Sequence, residues 1–272
     1  MNTNFKMTAT TLKGLEGVLS EELKKLGAQD IKEGIRSVTF RGDQGFLYKA
    51  NIALRTAIRI LKPIKVTKIY DEEDLYDSVK KIKWEKYLDV DGTFSIGAVS
   101  NSKNLTSHSH YIALKSKDAI ADYFRDKFGK RPNVDLDYPD LKIHIHIQKD
   151  LLTISLDSSG DSLHKRGYRT ATNIAPINEV LAAGMVLLSG YTGEENFIDP
   201  MCGSGTILIE AAMIANNIPA NINRKHFGFE NWKDYDEDLY FIIQEALLKK
   251  IRSSHFKIMG FDKAPSAVQK AK

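Results

Sequence analysis

The sequence predicts two α+β units followed by the beginning of a doubly wound α/β domain. Three observations support this prediction. Up to about residue 157, short strand patterns alternate with amphipathic helix patterns. The stretch "NFIDPMCGSGTILIEAAMIA", from Asn196 to Ala215, reads as a strand, a glycine turn and an apolar helix. Asp262 then ends the next strand pattern, "FKIMGFD", as Asp199 ends the first, and such strand ends border the ligand crevice of parallel sheets.

Length and composition limit the possible classes of protein. A chain of 272 residues predicts two or three domains, and 42% hydrophobic with 27% charged residues is typical of a soluble globular protein. The single cysteine excludes a disulfide framework and a cysteine-built zinc site. The amino terminus has no apolar signal core and no apolar run is long enough to span a membrane. These features predict a cytoplasmic protein.

The first unit, residues 1–62, combines strand and helix patterns. Apolar residues at helical spacing follow the strand "KMTATT", and Gly27 ends that helix as a C-cap. After the strand "SVTFRG", the stretch "QGFLYKANIALRTAIRIL" predicts a helix over residues 44–61, and Pro63 marks the boundary. We therefore expect helices on one face of a small sheet.

The second unit covers residues 63–157, and its profile could begin as early as residue 45. It reads as the strand "IKVTKIY", a helix over 71–88 with an acidic first turn, the strand "TFSIGAVS", and a helix over 109–128 ended by Gly129. The strands "LKIHIHIQ" and "LLTISLDSS" meet at a short turn and predict a hairpin.

The third unit, residues 158–272, opens with the polar connector "DSSGDSLHKRGYR". A nearly all-apolar helix follows Pro176 and is expected to be buried. After the glycine turn we expect a helix from about Tyr235 to Ile251, the strand "FKIMGFD", and the start of another helix.

The glycine turn is a candidate ligand site. Gly203 and Gly205 allow a sharp turn and close approach of a ligand to the backbone, and Asp262 could accept hydrogen bonds from ribose hydroxyls. No lysine follows the second glycine, as a phosphate-binding loop requires, and the third glycine of a dinucleotide site is missing. S-adenosylmethionine (SAM), a nucleoside without phosphates, fits better. A glycine connection without any ligand remains the alternative.

Two cationic stretches are candidate polyanion contacts. Between residues 103 and 131 the chain has seven basic residues against three acids, and this excess of four positive charges favours RNA phosphates or else a solvated helix face. The connector places Lys165, Arg166, Tyr168 and Arg169 before the glycine turn. Three cations and a ring suit a single-stranded nucleotide, but Arg166 and Arg169 could equally fasten two domains together.

Other reactive side chains have plainer interpretations. Cys202 could be a nucleophile, but no neighbouring His or Lys activates it, so a small loop residue is favoured. His144 and His146 share one strand face without a clear third ligand, which favours a polar sheet face over a metal pair. For His108 and His110 we likewise favour polar surface residues over metal ligands, and a contact with RNA phosphate is the alternative. Asp199 as a general base is disfavoured by its place in the loop.

The segments "DPMCGSGTILIEAA" and "LHKRGYRTATNIAPINEVLAA" closely resemble the THUMP-domain RNA methyltransferases, and most closely the bacterial large-subunit rRNA guanine-N2-methyltransferases. The resemblance runs from end to end. It implies an N-terminal ferredoxin-like domain, a THUMP RNA-binding domain and the start of a class I, Rossmann-like methyltransferase domain, with SAM as cofactor and RNA as partner. The implied cofactor residues are Asp199, Pro200, Cys202, Gly203, Gly205 and Thr206 for the methionine part, Asp262 for the ribose, Lys263 beside the adenine, and a wall at Pro176 to Glu179. The implied RNA contacts are Lys103, Lys115, Lys117, Arg125, Arg131, Lys165, Arg166, Tyr168 and Arg169.

The catalytic residues of that family are missing from this sequence. A doubly wound sheet has about six or seven strands, and only two follow Asn196. The family's Asn-Pro-Pro-aromatic signature needs adjacent prolines, and none occur here. We therefore expect a chain truncated before its catalytic motif and inactive alone. The alternatives are a tRNA guanine methyltransferase, a nucleic-acid adenine methyltransferase, or a non-catalytic RNA-binding protein.

Overall fold

The computed structural model describes residues 4–102, 108–169, 176–266 and 269. The chain forms two compact units. Unit 1 contains Met1–Ile60, Asp161–Phe227 and Asp236–Lys272, and unit 2 contains Leu61–Gly160 and Gly228–Tyr235. The first and third domains expected from the sequence therefore share one unit, and a short segment of the third belongs to the second.

The N-terminal part of unit 1 is an antiparallel sheet with two helices. Its elements are β1 (Phe5–Thr10), α1 (Glu16–Leu26), β2 (Gln29–Gly34), β3 (Ser37–Gly42) and α2 (Gln44–Ala53). The strand order is β2-β3-β1, and the core includes Met7, Leu19, Leu23, Phe40 and Leu47. The sequence pattern does not predict β2, because the polar residues of this strand show no alternation. Its pairing with β3 makes it an exposed edge strand.

The helix predicted over residues 44–61 is wrong beyond Ala53. Leu54 is extended, and a strand, β4, runs over Arg59–Lys68. Pro63, expected at a boundary, lies within this strand next to a register shift, where a bulge tolerates a residue without an amide hydrogen. The spacing of the apolar residues at 54–61 fits a helix as well as a strand. Only pairing with a partner strand decides between the helix and the strand.

Unit 2 is a mixed sheet with strand order β4-β8-β7-β5-β6. Its other elements are α3 (Glu72–Lys80), a 3-10 turn (Trp84–Lys86), β5 (Thr93–Asn101), α4 (Ser109–Phe128), β6 (Asn133–Val134), β7 (Leu141–Gln148) and β8 (Leu151–Asp157). The predicted hairpin and the predicted 109–128 helix are confirmed. The single helix predicted over 71–88 is wrong, because α3 ends at Lys80 and Trp84 begins a separate turn. Helix α4 packs on α3 and β5.

The segment Gly228–Tyr235 completes unit 2. Phe229 is buried and its amide donates to Ser158 O at 3.0 Å. A side chain at Gly228 would lie 2.8 Å from the Asp157 carbonyl oxygen, so the two stretches of backbone are in close contact. Lys62 Nζ lies 3.1 Å from Asp234 Oδ2. This close packing explains why the segment belongs to unit 2 and not to the unit that contains the rest of the third expected domain.

The C-terminal part of unit 1 has α5 (Glu179–Leu188), β9 (Phe197–Asp199), α6 (Thr206–Ala215), α7 (Glu237–Leu248) and β10 (Ile258–Gly260). Strands β9 and β10 are parallel, with Asp199 opposite Gly260, so Asp199 and the nearby Asp262 are at the same edge. Helix α5 is only partly buried, which corrects the expectation of full burial. Leu181, Met185 and Leu188 form an exposed stripe.

Specific contacts join the N-terminal and C-terminal parts of unit 1. The Asn221 amide donates to Ile52 O at 2.9 Å, and its side chain donates to Asn51 O at 2.8 Å. A side chain at Gly184 of α5 would lie 2.5 Å from Leu15 Cδ1, so glycine permits this close approach. Burial of these polar and apolar groups together explains why the two parts form one unit.

Candidate functional site

The candidate cofactor loop connects β9 to α6. Gly203 (φ 56°) and Gly205 (φ 79°) adopt the left-handed conformation that favours glycine. Gly205 is the N-cap of α6 and offers no side chain to the first amides of the helix. A side chain at Gly203 would meet no atom within 4 Å. The loop therefore presents a helix N-terminus beside open space.

Asp262 is held against this loop by backbone hydrogen bonds. The Ala264 amide donates to Oδ1 at 2.8 Å and the Gly203 amide donates to Oδ2 at 2.9 Å. These bonds, Ala264 first and Gly203 second, lower the pKa of Asp262. Asp262 is thus an ionised acceptor at the sheet edge, followed by the exposed Lys263.

Asp199 has one carboxylate oxygen that is paired and one that is unpaired within the described part of the chain. Its Oδ1 accepts from the Met201 amide at 3.0 Å, whereas its buried Oδ2 has no partner among the described residues. Buried carboxylate oxygens normally have partners, so this atom fits a donor on a ligand, such as the ammonium group of SAM. Pro200 and Pro176 are exposed, Pro200 in the loop and Pro176 two residues before the N-cap of α5. The residues present therefore fit the cofactor.

Cys202 packs beneath the loop. A side chain at Gly260 would lie 3.0 Å from Cys202 Sγ, and the thiol is buried. Burial raises the pKa of Cys202, and the carboxylates of Asp199 and Asp262 add to the effect. A thiol that stays protonated is a poor nucleophile. The structure therefore favours Cys202 as a small residue of the loop over Cys202 as a nucleophile.

Arg166 is buried, which corrects its expected exposure to RNA. Its side chain is 1% exposed, and Nε donates to Glu210 Oε1 at 3.3 Å. Nη1 donates to Leu163 O at 3.0 Å and to Asn221 Oδ1 at 3.1 Å, and Nη2 donates to Arg55 O. These protein acceptors favour the fastening interpretation of this arginine.

Tyr168 and Arg169 also hold helix α6. The Tyr168 hydroxyl donates to Glu210 Oε1 at 3.1 Å. Arg169 Nε donates to Glu179 Oε1 at 2.9 Å, and its Nη2 donates to Thr206 Oγ1 at 3.1 Å. Arg169 therefore bridges the first helical residues of α5 and α6, at the candidate cofactor loop.

The signal that could have revealed this network is Glu210, the one charged residue in the apolar sequence "TILIEAAMIA". A carboxylate at a buried position requires a buried donor, and the neighbouring connector has the cations. Lys165 alone among the connector candidates is exposed, and it pairs with Asp161 at 3.1 Å.

The basic residues of α4 are largely paired within unit 2. Lys117 lies 2.9 Å from Asp118, Arg125 lies 2.5 Å from Asp122, and Lys115 lies over the Tyr76 ring at 5.4 Å. An acid from outside residues 103–131 also reaches this helix. Glu85 lies 2.7 Å from Lys127 of α4. Arg131 is exposed, and Lys103 is outside the described residues. Lys80, also from outside that stretch, lies 2.7 Å from Asp126 of the same helix, so the excess of positive charge stays the same although several of its cations have carboxylate partners.

The histidines of β7 lie on one strand face as expected. His146 is half-buried, and burial lowers its pKa. In the described part of the chain, no group of three or more His, Cys, Asp or Glu side chains is arranged to hold a metal ion. Nor does any helix within the described ranges have the length and apolarity to cross a membrane.

The fold and the loop define a class of protein: a methyltransferase with an added RNA-recognition domain. Three family matches follow one another along the chain: the RlmL ferredoxin-like domain at residues 6–61, the THUMP domain at 70–157, and the RMKL-like methyltransferase domain at 166–272. A Synechocystis protein named "Putative RNA methyltransferase slr0064" is 38% identical over 97% of this chain and 69% of its own length. The chain belongs to this family of THUMP-containing, RMKL-like methyltransferases.

Similar solved structures are also methyltransferases by their descriptions. SMU.472, described as "a putative methyltransferase complexed with SAH", has 34% identity and a TM-score of 0.86, with 100% of this chain and 71% of that chain covered. A Listeria monocytogenes protein described as a "predicted N6-adenine-specific DNA methylase" has 32% identity and a TM-score of 0.88, with 99% and 70% covered. These matches confirm the predicted fold class, ferredoxin-like and THUMP domains followed by a Rossmann-like methyltransferase fold, and they support SAM as the cofactor.

Proposed function

We propose that the whole protein transfers a methyl group from SAM to the exocyclic N2 amine of a guanine in RNA, specifically in large-subunit rRNA. The observation that most directly supports SAM-dependent methyl transfer is the ionised Asp262 beside the uncapped α6 and Asp199 Oδ2, which has no partner among the described residues, in one chain with a THUMP domain. The name of slr0064 supports RNA as the substrate class.

Each candidate residue has a proposed role in this site. The loop from Asp199 to Thr206, including Pro200 and Cys202, binds the methionine part through backbone groups and the free Asp199 oxygen. Asp262 accepts hydrogen bonds from the ribose hydroxyls, and Lys263 lies beside the adenine. Pro176 to Glu179 form one wall. These residues would hold the cofactor with its sulfonium methyl in one direction, which would favour in-line attack by the amine.

The acceptor amine needs groups that these residues do not supply. The lone pair of a guanine amine is delocalised into the ring, so acceptors for its two hydrogens are needed to make it nucleophilic. Asp199 and Asp262 are engaged with the loop and assigned to the cofactor. We propose that an Asn side chain and a proline carbonyl accept these hydrogens, in an Asn-Pro-Pro-aromatic motif elsewhere in the whole protein, since this chain spans 69% of slr0064.

Adenine is the second candidate base, because the Listeria relative is described as an N6-adenine methylase. Nucleoside mass spectrometry of rRNA, tRNA and DNA from a strain lacking the gene decides between them. We expect loss of N2-methylguanosine from large-subunit rRNA, restored by the intact gene but not by Asp262→Ala. Loss from tRNA alone would overturn the rRNA assignment, and loss of N6-methyladenine would overturn the base. No lost mark would favour a non-catalytic RNA-binding protein.

A further inference from the structure

Unit 1 brings together cations that are far apart in the sequence. Lys49, on α2, donates from Nζ to Leu26 O at 2.6 Å, which places its ammonium group at the C-terminal end of α1. Lys25 precedes Leu26 and is exposed. Lys250 follows α7, and α7 packs against α2. The packing of α7 on α2 thus brings Lys250 to the same part of unit 1 as Lys49 and the C-terminal end of α1.

Lys49 and Lys250 are close enough to repel each other. Burial lowers the pKa of Lys49, and the charge of Lys250 lowers it further. Lys49 is half-buried whereas Lys250 is exposed, and an anion beside both would offset their repulsion. This arrangement therefore favours an anionic partner.

An arginine and an amide extend the same surface. Asn217 Nδ2 donates to Lys250 O at 2.9 Å, and Arg252 Nε donates to Ala215 O at 2.9 Å. Asn217, Lys250 and Arg252 line a surface cavity of 490 Å³. The acceptors of Arg252 are backbone carbonyls, so its positive charge is not neutralised.

The lack of acidic partners distinguishes these cations from their neighbours. Lys24 lies 3.8 Å from Glu21, and Lys249 lies 3.6 Å from Glu245. Within the described residues, no carboxylate forms an ion pair with Lys25, Lys49, Lys250 or Arg252. Unpaired cations keep their counterions, and those counterions are released when the cations bind phosphates.

We propose that Lys25, Lys49, Asn217, Lys250 and Arg252, here called the Lys49–Lys250 patch, bind the phosphate backbone of the RNA substrate. This inference rests on the proposed RNA substrate and names a surface that the sequence did not indicate. The patch combines the ferredoxin-like part and the methyltransferase part of unit 1. It would therefore position RNA on the unit that holds the cofactor loop, without reading the base sequence.

The test is a salt titration of RNA binding by the 272-residue chain. The probe is a fluorescein-labelled RNA hairpin of mixed sequence, measured by anisotropy between about 50 and 200 mM salt. Lys25→Glu with Lys250→Glu is expected to weaken binding at least about tenfold and to reduce the slope of log K against log salt by about two. Lys25→Gln with Lys250→Gln should have an intermediate effect. Both lysines are exposed, and circular dichroism checks that the variants fold.

A matched control distinguishes the effect of the Lys49–Lys250 patch on RNA binding from the effect of the change in total charge. Lys68→Glu with Lys81→Glu makes the same change in total charge on unit 2, at exposed lysines that have carboxylate partners in Asp150 and Asp77. We expect a clearly smaller loss of affinity and slope from this control. Equal losses in the two variants, a larger loss in the control, or no binding by the unmodified chain would overturn the patch. The nucleoside experiment tests the methylated base separately, so either result can fail without the other.

Discussion

Arg166 and Glu210 meet inside unit 1, where Nε lies 3.3 Å from Oε1 and the two side chains are 1% and 0% exposed. Burial raises the pKa of Glu210, and the positive charges of Arg166 and Arg55 oppose that effect. Among the described residues, Glu210 Oε2 and Arg55 Nη1 have no hydrogen-bond partner. The pair fastens the connector to α6, and Arg166 also reaches the N-terminal part through Arg55 O.

Arg166→Met should destabilise unit 1 by about 3 kcal/mol, because it leaves a buried carboxylate without its cation. The free energy of unfolding is measured by urea titration with circular dichroism. Lys165→Met is the matched control, since Lys165 is exposed and its pair with Asp161 contributes about 0.5 kcal/mol or less. Equal effects of the two substitutions would contradict the fastening role.

Thr206→Val should weaken binding of S-adenosylhomocysteine about tenfold, because it removes the oxygen that accepts from Arg169 at the start of α6. Thr206→Ser keeps the hydroxyl and should bind like the unmodified protein. Isothermal calorimetry measures both dissociation constants. Arg169→Met alone should weaken binding more than Thr206→Val, because Arg169 also pairs with Glu179, and the loss in the double variant should be smaller than the sum of the two single losses. Fully additive effects would show that they act separately.

Asp262→Ala should abolish measurable binding of S-adenosylhomocysteine, whereas Asp262→Asn should retain part of it. The asparagine keeps one oxygen for the Gly203 or Ala264 amide but loses the charge. The pKa of Asp262 is lowered, so its carboxylate stays ionised from neutral pH down to 3.8, the usual pKa of an aspartate. Protonation of Asp262 should therefore not weaken binding over that pH range. Calorimetry at several pH values tests this. Tight binding by Asp262→Ala would exclude the ribose role.

Cys202 should react slowly with iodoacetamide in the native protein. Its raised pKa keeps the thiol protonated below its usual value of about 9, so the rate should increase only above that pH. The protein has one cysteine, so mass spectrometry follows a single modification. The same chain unfolded in guanidinium is the control and should react faster. A native rate at neutral pH above that of the unfolded chain would indicate an activated thiolate.

Glu85→Gln should destabilise unit 2 by about 1 kcal/mol or less at neutral pH. Lys127 first, and then Tyr123, lower the pKa of Glu85 from 4.5 to about 2. A lowered acid pKa contributes stability that is present above the usual value, so the difference between variant and unmodified protein should shrink as pH falls from 4.5 to about 2.

Tryptophan fluorescence in a urea titration measures this effect, because both tryptophans, Trp84 and Trp232, belong to unit 2. Asp137→Asn, a charge removal in an exposed loop of the same unit, is the control. A difference that stays constant with pH would exclude the ion pair as its cause.

Local pattern predicted many elements well. The 109–128 helix, the hairpin of β7 and β8, and the strand–turn–helix around Gly203 are confirmed, because periodicity and glycine placement act over a few residues. Pattern failed for β2, which is polar, and for residues 59–61, whose apolar spacing fits a helix and a strand equally. In both cases a partner strand made the strand form.

The sequence by itself determined the family, the glycine turn that is the candidate cofactor loop, and the acid at the next strand end, because these depend on short motifs in chain order. Only the tertiary structure decided which cations are available. Arg166 is buried because Glu210 lies 44 residues away in the chain but 3.3 Å away in space. The packing of α7 on α2 brings Lys250 to the same part of unit 1 as Lys49 for the same reason. Pairing and burial are set by distances between side chains, and distances between remote residues exist only once the chain has folded.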